Sequence, residues 1–239
     1  MKPAPGRLYL IPASLGASPW QRTVPAEVRG IAAGIVDFVV ENARTARAEL
    51  KRLDHPGPMR DLRIEALPEK PDNASLDALL APALAGRDMG LMSEAGCPAV
   101  ADPGALLVGR AHELGLTVAP LVGPSSLLLA LMASGLNGQS FAFHGYLPVD
   151  EGARTRRLRE LEADSRQAGR TQIFIETPYR NPRMFQAILA VCRPETQLCV
   201  ARDLTTAEEW IRSLPIGRWR GGPEPDLARH PTIFLLLAS

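Results

Sequence analysis

The sequence is sparing with the features that usually announce a function. It has three cysteines in 239 residues, Cys97, Cys192 and Cys199. That is too few for a disulfide framework, their spacing fits no zinc pattern, and such usage suits a reducing compartment such as the cytoplasm. Aromatic residues make up 5% of the chain, which offers little stacking surface for single-stranded RNA. Neither sign of charge is in excess: 27 Lys and Arg face 26 Asp and Glu, a net charge of +1. A dedicated nucleic-acid or membrane-surface binder would carry a basic excess. The longest apolar runs, Leu127–Ala133 and Ile233–Ala238, fall far short of the roughly 20 residues of a membrane span. Met1–Arg7 lacks the apolar core of a secretion signal, so no membrane association is expected. The four histidines (His55, His112, His144, His230) are scattered. His112-Glu113 runs on into Leu-Gly-Leu, so the HExxH zinc motif is absent. No metal is expected.

What the chain does have is alternation. Strand and helix signals succeed one another throughout, the pattern of parallel α/β architecture. Strands are predicted over Arg7–Ile11, Ile35–Val40, Leu62–Leu67, Asp88–Met92 and Leu116–Val122. Helices Pro25–Gly34, Ala43–Leu53, Leu76–Ala85 and Ala105–Leu114 lie between them. Ser75 is placed to cap the third helix and Gly86 to end it, while Pro103 suits a first helical turn. A second set follows: helix Ser125–Ser134, strand Ser140–His144, the charged helix Glu151–Ala168, strand Thr171–Glu176, helix Pro182–Cys192 and strand Gln197–Ala201. A mixed segment to Trp219 and a loop at Gly221–Pro225 precede a last strand, Thr232–Ala238. With the turn Gly123-Pro124 between the sets, two α/β domains are expected, 1–121 and 122–239.

The nucleotide fingerprints that suit this architecture are missing. There is no GxGxxG after the first strand, no Walker phosphate loop and no GxSxG elbow. This argues against a dehydrogenase of the dinucleotide-binding type, a P-loop enzyme and an α/β-hydrolase. What remains is a series of strand-end loops: PASLGA (12–17), ENAR (41–44), SEAGCP (93–98), GPSS (123–126), ETPYR (176–180), ARDLT (201–205) and HPT (230–232). In open α/β sheets, ligands bind at the carboxyl ends of the strands. Glycine lets a backbone approach a ligand, and serine packs a donor and an acceptor into little space. Loops of this kind suit a nucleoside held by main-chain groups, although any single one also serves as an ordinary turn.

In identity and order, the set resembles the tetrapyrrole-methylase superfamily of S-adenosylmethionine (SAM) methyltransferases. Within it, the resemblance is to the ribosomal RNA small-subunit methyltransferase I family, which methylates a cytidine ribose 2′-hydroxyl. The residues that carry it are Ser93-Glu94-Ala95-Gly96-Cys97-Pro98 with Asp102-Pro103-Gly104, then Val122–Ser126, Gly145-Tyr146-Leu147-Pro148 with the basic helix Arg154–Arg159, Glu176–Arg180, and Ala201–Thr206. The match runs from about residue 7 to 238. It implies two α/β domains with SAM in the cleft between them, in a homodimer. It also implies cofactor contacts at Leu15, Ala95, Gly96, Cys97, Ser125, Ser126, Thr177, Ala201 and Thr232. Helix starts offer free N–H donors, which agrees for Ser125 and Ser126.

The departures fall on the acceptor side. The family's Pro-Ile-Gly-Asn is Pro12-Ala13-Ser14-Leu15-Gly16 here, its Glu-Asp-Thr-Arg is Glu41-Asn42-Ala43-Arg44, and its histidine-rich loop has become Leu67–Asn73. Thr206 stands in place of a lysine, and the chain is expected to end at its last strand, without the small C-terminal domain of many members. Methyl transfer to a hydroxyl requires alignment of acceptor, methyl and sulfur and removal of a proton. Glu41, Asp102 and Glu176 are the candidate bases. Local ion pairing competes as an explanation for Glu176 with Arg180 and for Glu41 with Arg44. Arg154, Arg156, Arg157 and Arg159 read as a solvated face with Arg156–Glu160 pairing, with RNA phosphate contact as the rival. Cys97 reads as a small packing residue. The leading acceptor is small-subunit ribosomal RNA; the alternatives are a small molecule such as a tetrapyrrole, or SAM binding without catalysis.

Overall fold

The computed structural model describes residues 4–239; the first three residues of the Met1–Arg7 stretch lie outside the described residues. The chain divides into two compact α/β units, one ending at Ser125 and the other spanning Ser126–Ser239. The first contains five strands, β1 (Arg7–Leu10), β2 (Asp37–Val40), β3 (Arg63–Ala66), β4 (Met89–Met92) and β5 (Thr117–Pro120). All pair in parallel, in the order β3-β2-β4-β1-β5. Helices α1 (Ala26–Ala33), α2 (Ala43–Arg52), α3 (Asn73–Leu84) and α4 (Gly104–Glu113) make the crossovers.

Both faces of this sheet are covered, so β2 and β4 are buried at every residue. Alternation along the strands divides the core in two. Leu8, Val39, Met89 and Leu91 pack with α3 and α4 residues such as Leu80 and Leu107. Ile11, Phe38, Val40 and Met92 pack with Ala32, Ala46 and Leu50 from α1 and α2. Gly90 makes room for that second layer, since a Cβ there would lie 2.7 Å from Ile11 Cδ1 and 2.8 Å from Phe38 Cδ1. One capping expectation is corrected. The N-cap of α3 is Asp72, whose carboxylate accepts from Ser75 N–H while Ser75 Oγ accepts from Asp72 N–H. Ser75 is therefore the third helical residue of a capping box, and the helix starts three residues earlier than its apolar pattern suggests.

The second unit contains α5 (Ser126–Ser134), β6 (Phe141–Tyr146), α6 (Glu151–Ala168), β7 (Thr171–Ile175), α7 (Asn181–Val191), β8 (Gln197–Arg202), β9 (Trp210–Pro215), α8 (Ile216–Arg220) and β10 (Thr232–Leu237). Its strand order is β6-β7-β10-β8-β9. Here the expectation of parallel architecture fails. Only β6 and β7 pair in parallel; β10 runs against both β7 and β8, and β9 runs against β8. For β9 the physical reason is connection length, because 203–209 is too short to carry the crossover of a dozen or more residues that parallel neighbours need. The mixed segment before Trp219 thus resolves into a strand and a short helix. One aromatic-rich core packs beneath α6, α7 and α8 and includes Phe174, Phe185, Trp219 and Phe234. Phe174 and Phe234 stack at 5.7 Å, and Trp219 Nε1–H donates to Leu198 O at 3.0 Å. Among the described residues, no helix is long and apolar enough to cross a membrane.

Candidate functional site

In the first sheet, the connection from β1 passes over β4 toward β2, and the connection from β4 passes back over β1 toward β5. These neighbours are therefore where the topology reverses, and loops leaving them open a crevice suited to a ligand. The loops are 11–18 and 93–98, and the backbone ties them together. Ala13 N–H donates to Gly96 O at 2.9 Å and Gly96 N–H donates to Ala13 O at 3.0 Å. Gly96 adopts φ +72°, a conformation suited to glycine, and a Cβ there would meet Leu15 Cδ2 at 3.3 Å and Pro124 O at 3.5 Å. Cys97 Sγ lies 3.5 Å from the same carbonyl. Gly123 in turn runs against the ring of Pro12, with 2.2 Å from a hypothetical Cβ to the ring. Leu15, Ala95, Gly96, Cys97 and the segment entering Ser125 are thereby gathered in one place.

A cavity of about 320 Å³ opens beside these loops, lined by Leu15 and Ala95 together with Ser14, Glu49, Arg52 and Glu94. The sequence reading missed the last four in this role. Glu49 Oε1 accepts from Ser14 N–H at 3.0 Å and from Ser14 Oγ–H at 2.7 Å. Arg52 donates to Gly16 O at 2.7 Å and also to Ser18 O, and lies 3.7 Å from Glu49. One turn of α2 thus clamps the β1 loop. At the rim, Glu94 N–H donates to Glu41 Oε2 at 3.1 Å, and Thr45 Oγ–H donates to Glu94 Oε1 at 3.5 Å. Glu41 engages this loop rather than Arg44.

The other candidate bases face different partners. Asp102 Oδ1 accepts from Gly104 N–H at 2.7 Å, within a loop where Ala99 and Ala101 both have positive φ. Burial pushes the Asp102 carboxyl up, against main-chain N–H groups that favour its charged form. Glu176, buried in the second unit, accepts from Thr177 N–H at 2.6 Å and from Arg180 Nη2 at 2.6 Å and Nε at 2.9 Å. Glu41 and Asp102 share no hydrogen bond with each other among the described residues.

The remaining predicted cofactor residues belong to the second unit. Because β10 is antiparallel to its neighbours, its first residue, Thr232, pairs with Arg202 beside Ala201, and Ile233 pairs with Ile175, just before Thr177. Thr177, Ala201 and Thr232 therefore share one end of the sheet. Their side chains diverge, however. Thr232, two residues from Phe234, shares its α6–α8 face, where Thr232 Oγ–H donates to His230 O at 2.9 Å. Ala201 alternates with Val200 onto the opposite face, on which α5, beginning at Ser126, is packed. Both Ala201 and Thr232 are buried.

The basic helix is likewise divided. Arg157 pairs with Glu160 at 3.1 Å, correcting the expected Arg156–Glu160 pair: the i,i+3 partner is taken instead of the i,i+4 one. Arg154 is buried, and Arg156 and Arg159 are exposed. Burial holds the thiols of Cys192 and Cys199 up at about 12 and raises that of Cys97. Among the described residues, no group of three His, Cys, Asp or Glu could hold a metal.

No protein-family profile matches the chain. Curated relatives named ribosomal RNA small subunit methyltransferase I do match. The Escherichia coli O157:H7 protein is 32% identical over 234 residues, covering 97% of this chain and 77% of that protein. The Vibrio cholerae protein is 37% identical over 151 residues, 63% of this chain and 51% of its own length. The Mesorhizobium japonicum protein is 40% identical over 135 residues, 56% and 45%. The chain thus spans about half the length of two of these three relatives. Among solved structures, the methyltransferase CobJ is similar at a TM-score of 0.63 and 20% identity, covering 98% of this chain and 95% of that one. Uroporphyrin-III-C-methyltransferase from Thermus thermophilus is similar at 0.52 and 19%, covering 97% and 94%. At these identities the likeness concerns the fold.

Proposed function

Because the chain belongs to the ribosomal RNA small subunit methyltransferase I family, we propose that it transfers a methyl group from SAM to a ribose 2′-hydroxyl of small-subunit ribosomal RNA. The observation that carries this reading is the gathering of Leu15, Ala95, Gly96 and Cys97 where the first sheet reverses. The adjoining cavity, about 320 Å³, is at the lower end of the range for small-molecule sites. A carboxylate of its lining, Glu94, suits the positive charges of a sulfonium and an α-ammonium. SAM supplies an electrophilic methyl group. The acceptor oxygen bonds to that carbon, the carbon–sulfur pair stays on sulfur, and the hydroxyl proton goes to a base.

Glu41 is our choice for that base. It is exposed at the end of β2 and, among the described residues, its carboxylate is held only by the Glu94 N–H. Arg180 neutralises Glu176, and Asp102 is drawn into its own loop. Methylation of small ribosomal subunits from a strain lacking the gene tests the reading with labelled SAM. The protein should label one ribose, and Glu41→Gln should slow labelling about 10²–10⁴-fold while SAM still binds. Unlabelled RNA with intact SAM binding would transfer the activity to a small-molecule acceptor, a reading favoured by the net charge of +1. No labelled product from any acceptor would leave a SAM-binding protein. We place the protein in the cytoplasm as a homodimer, for which Leu128 and Met132, exposed one turn apart on α5, offer apolar surface.

A further inference from the structure

The second unit contains a cavity of about 420 Å³ that takes no part in the arrangement above. It lies between the first turn of α6 and the length of α7, with Glu151, Arg154 and Thr155 from α6 and Pro182, Arg183 and Gln186 from α7 among its lining. Arg154 is only 7% exposed. Its Nη1 donates to Val149 O at 2.9 Å, whereas its Nε has no hydrogen-bond partner. On α6, Arg157 is matched by Glu160, and Arg180, just before α7, is matched by Glu176. Neither Arg154 nor Arg183 has such a partner among the described residues. A buried cation without a counter-ion is costly, and an anion in the cavity would remove that cost. Planar guanidinium groups are well matched to phosphate oxygens.

A second feature shares this end of the sheet. Tyr146 pairs in register with Ile175, the last residue of β7, and Tyr179 follows in the turn before α7. They are 60% and 78% exposed. The chain has three tyrosines, and two of them stand open at the end of β6 and just after β7, on the connections that run on into α6 and α7. Exposed aromatic faces on the same end of the sheet as a cationic seat are the elements of single-strand recognition, stacking for bases and charge for the backbone.

We propose that the cavity between α6 and α7 seats a backbone phosphate of the RNA acceptor through Arg154 and Arg183, with adjoining bases stacked on Tyr146 and Tyr179. This rests on the RNA reading given above. The test measures binding of a labelled single-stranded RNA to the full chain across a range of salt, with SAM binding followed in parallel. Arg183→Glu should weaken RNA binding about tenfold or more and flatten the slope of log affinity against log salt by about 0.7 for each phosphate no longer neutralised. Tyr179→Ala should weaken it about fivefold or more without changing that slope. Both residues are exposed, so SAM affinity and melting temperature should stay at wild-type values. Arg154→Met, which keeps the buried volume, should act like Arg183→Glu. Unchanged RNA affinity and slope in Arg183→Glu and Tyr179→Ala, in a protein whose parent methylates small-subunit RNA, would overturn the proposal alone. A parent that neither binds nor methylates RNA would overturn the RNA reading and this surface with it.

Discussion

In the first sheet all five strands run the same way, so their carboxyl ends lie along one edge and every ligand-facing loop leaves from it. In the second sheet β10 runs against its neighbours, and the loop that enters it stands beside the loops that leave β7 and β8. The cores differ as well. The parallel sheet is sandwiched between two largely aliphatic layers, whereas the mixed sheet concentrates its large aromatics on one face. A fully covered parallel sheet ties its strand ends to a rigid frame, and close glycine contacts such as Gly96 and Gly123 can be held there. The mixed sheet instead owes its stability to a few large side chains. Its strand ends carry exposed aromatics and arginines beside their turns.

That contrast can be broken most forcefully at the aromatic core. Phe234→Ala, removing a fully buried ring stacked on Phe174, should cost about 3–5 kcal/mol, measured by urea unfolding. A loss below about 1 kcal/mol, the size of an ordinary substitution, would mean that the second unit does not depend on its rings as described. At the glycine turn the expected effect is smaller and of another kind. Gly96→Ala places a side chain at positive φ against Leu15, at about 1–2 kcal/mol. It should reduce SAM affinity in titration calorimetry by more than the stability change alone implies. Unaltered SAM binding would detach this turn from the cofactor.

The mildest effect concerns Asp102. Its carboxyl is raised by burial, so the folded protein holds that proton more tightly than the unfolded chain does. The resulting stability is present below the ordinary aspartate range and is lost as pH climbs through the raised value. Asp102→Asn keeps an oxygen acceptor for Gly104 N–H and removes the charge. Wild type minus variant stability should therefore fall with rising pH across the mildly acidic range and then level off. A difference that rises with pH would show that the main-chain donors outweigh burial.

Much of this arrangement is legible in the sequence because it depends on local signals. The apolar run Gly90–Met92 followed by SEAGCP marks a buried strand and a glycine turn, and both are present. The start of α3 is harder to read because Asp72 and Ser75 are both good caps, and the reciprocal bond between them decides it. Strand β9 escapes detection because Trp210–Pro215 is a part-exposed edge with no uniform alternation. Glu49 and Arg52 look like a charged pair on a helix face. Their contact with the β1 loop depends on how α2 packs, 35 residues away in sequence for Glu49 and Ser14. The division of Thr232 from Ala201 across two sheet faces follows from a register that only strand pairing fixes. The same holds for Arg154, whose burial four closely spaced arginines on one helix do not disclose.

The place of β10 has a bearing on how the protein is made. It is the last of the five strands of its sheet in sequence, yet it fills the middle of that sheet between β7 and β8. Until residues 232–237 arrive, β7 and β8 are apolar strands with unpaired edges facing the same gap, and such edges recruit other strands. A segment that completes the gap can come from the same chain or from a second copy, which is the geometry of strand exchange between identical molecules. Slow synthesis or high local concentration therefore favours entangled assemblies of the second unit, while the first sheet, whose interior strand β1 is the first of its five in sequence, closes without that hazard.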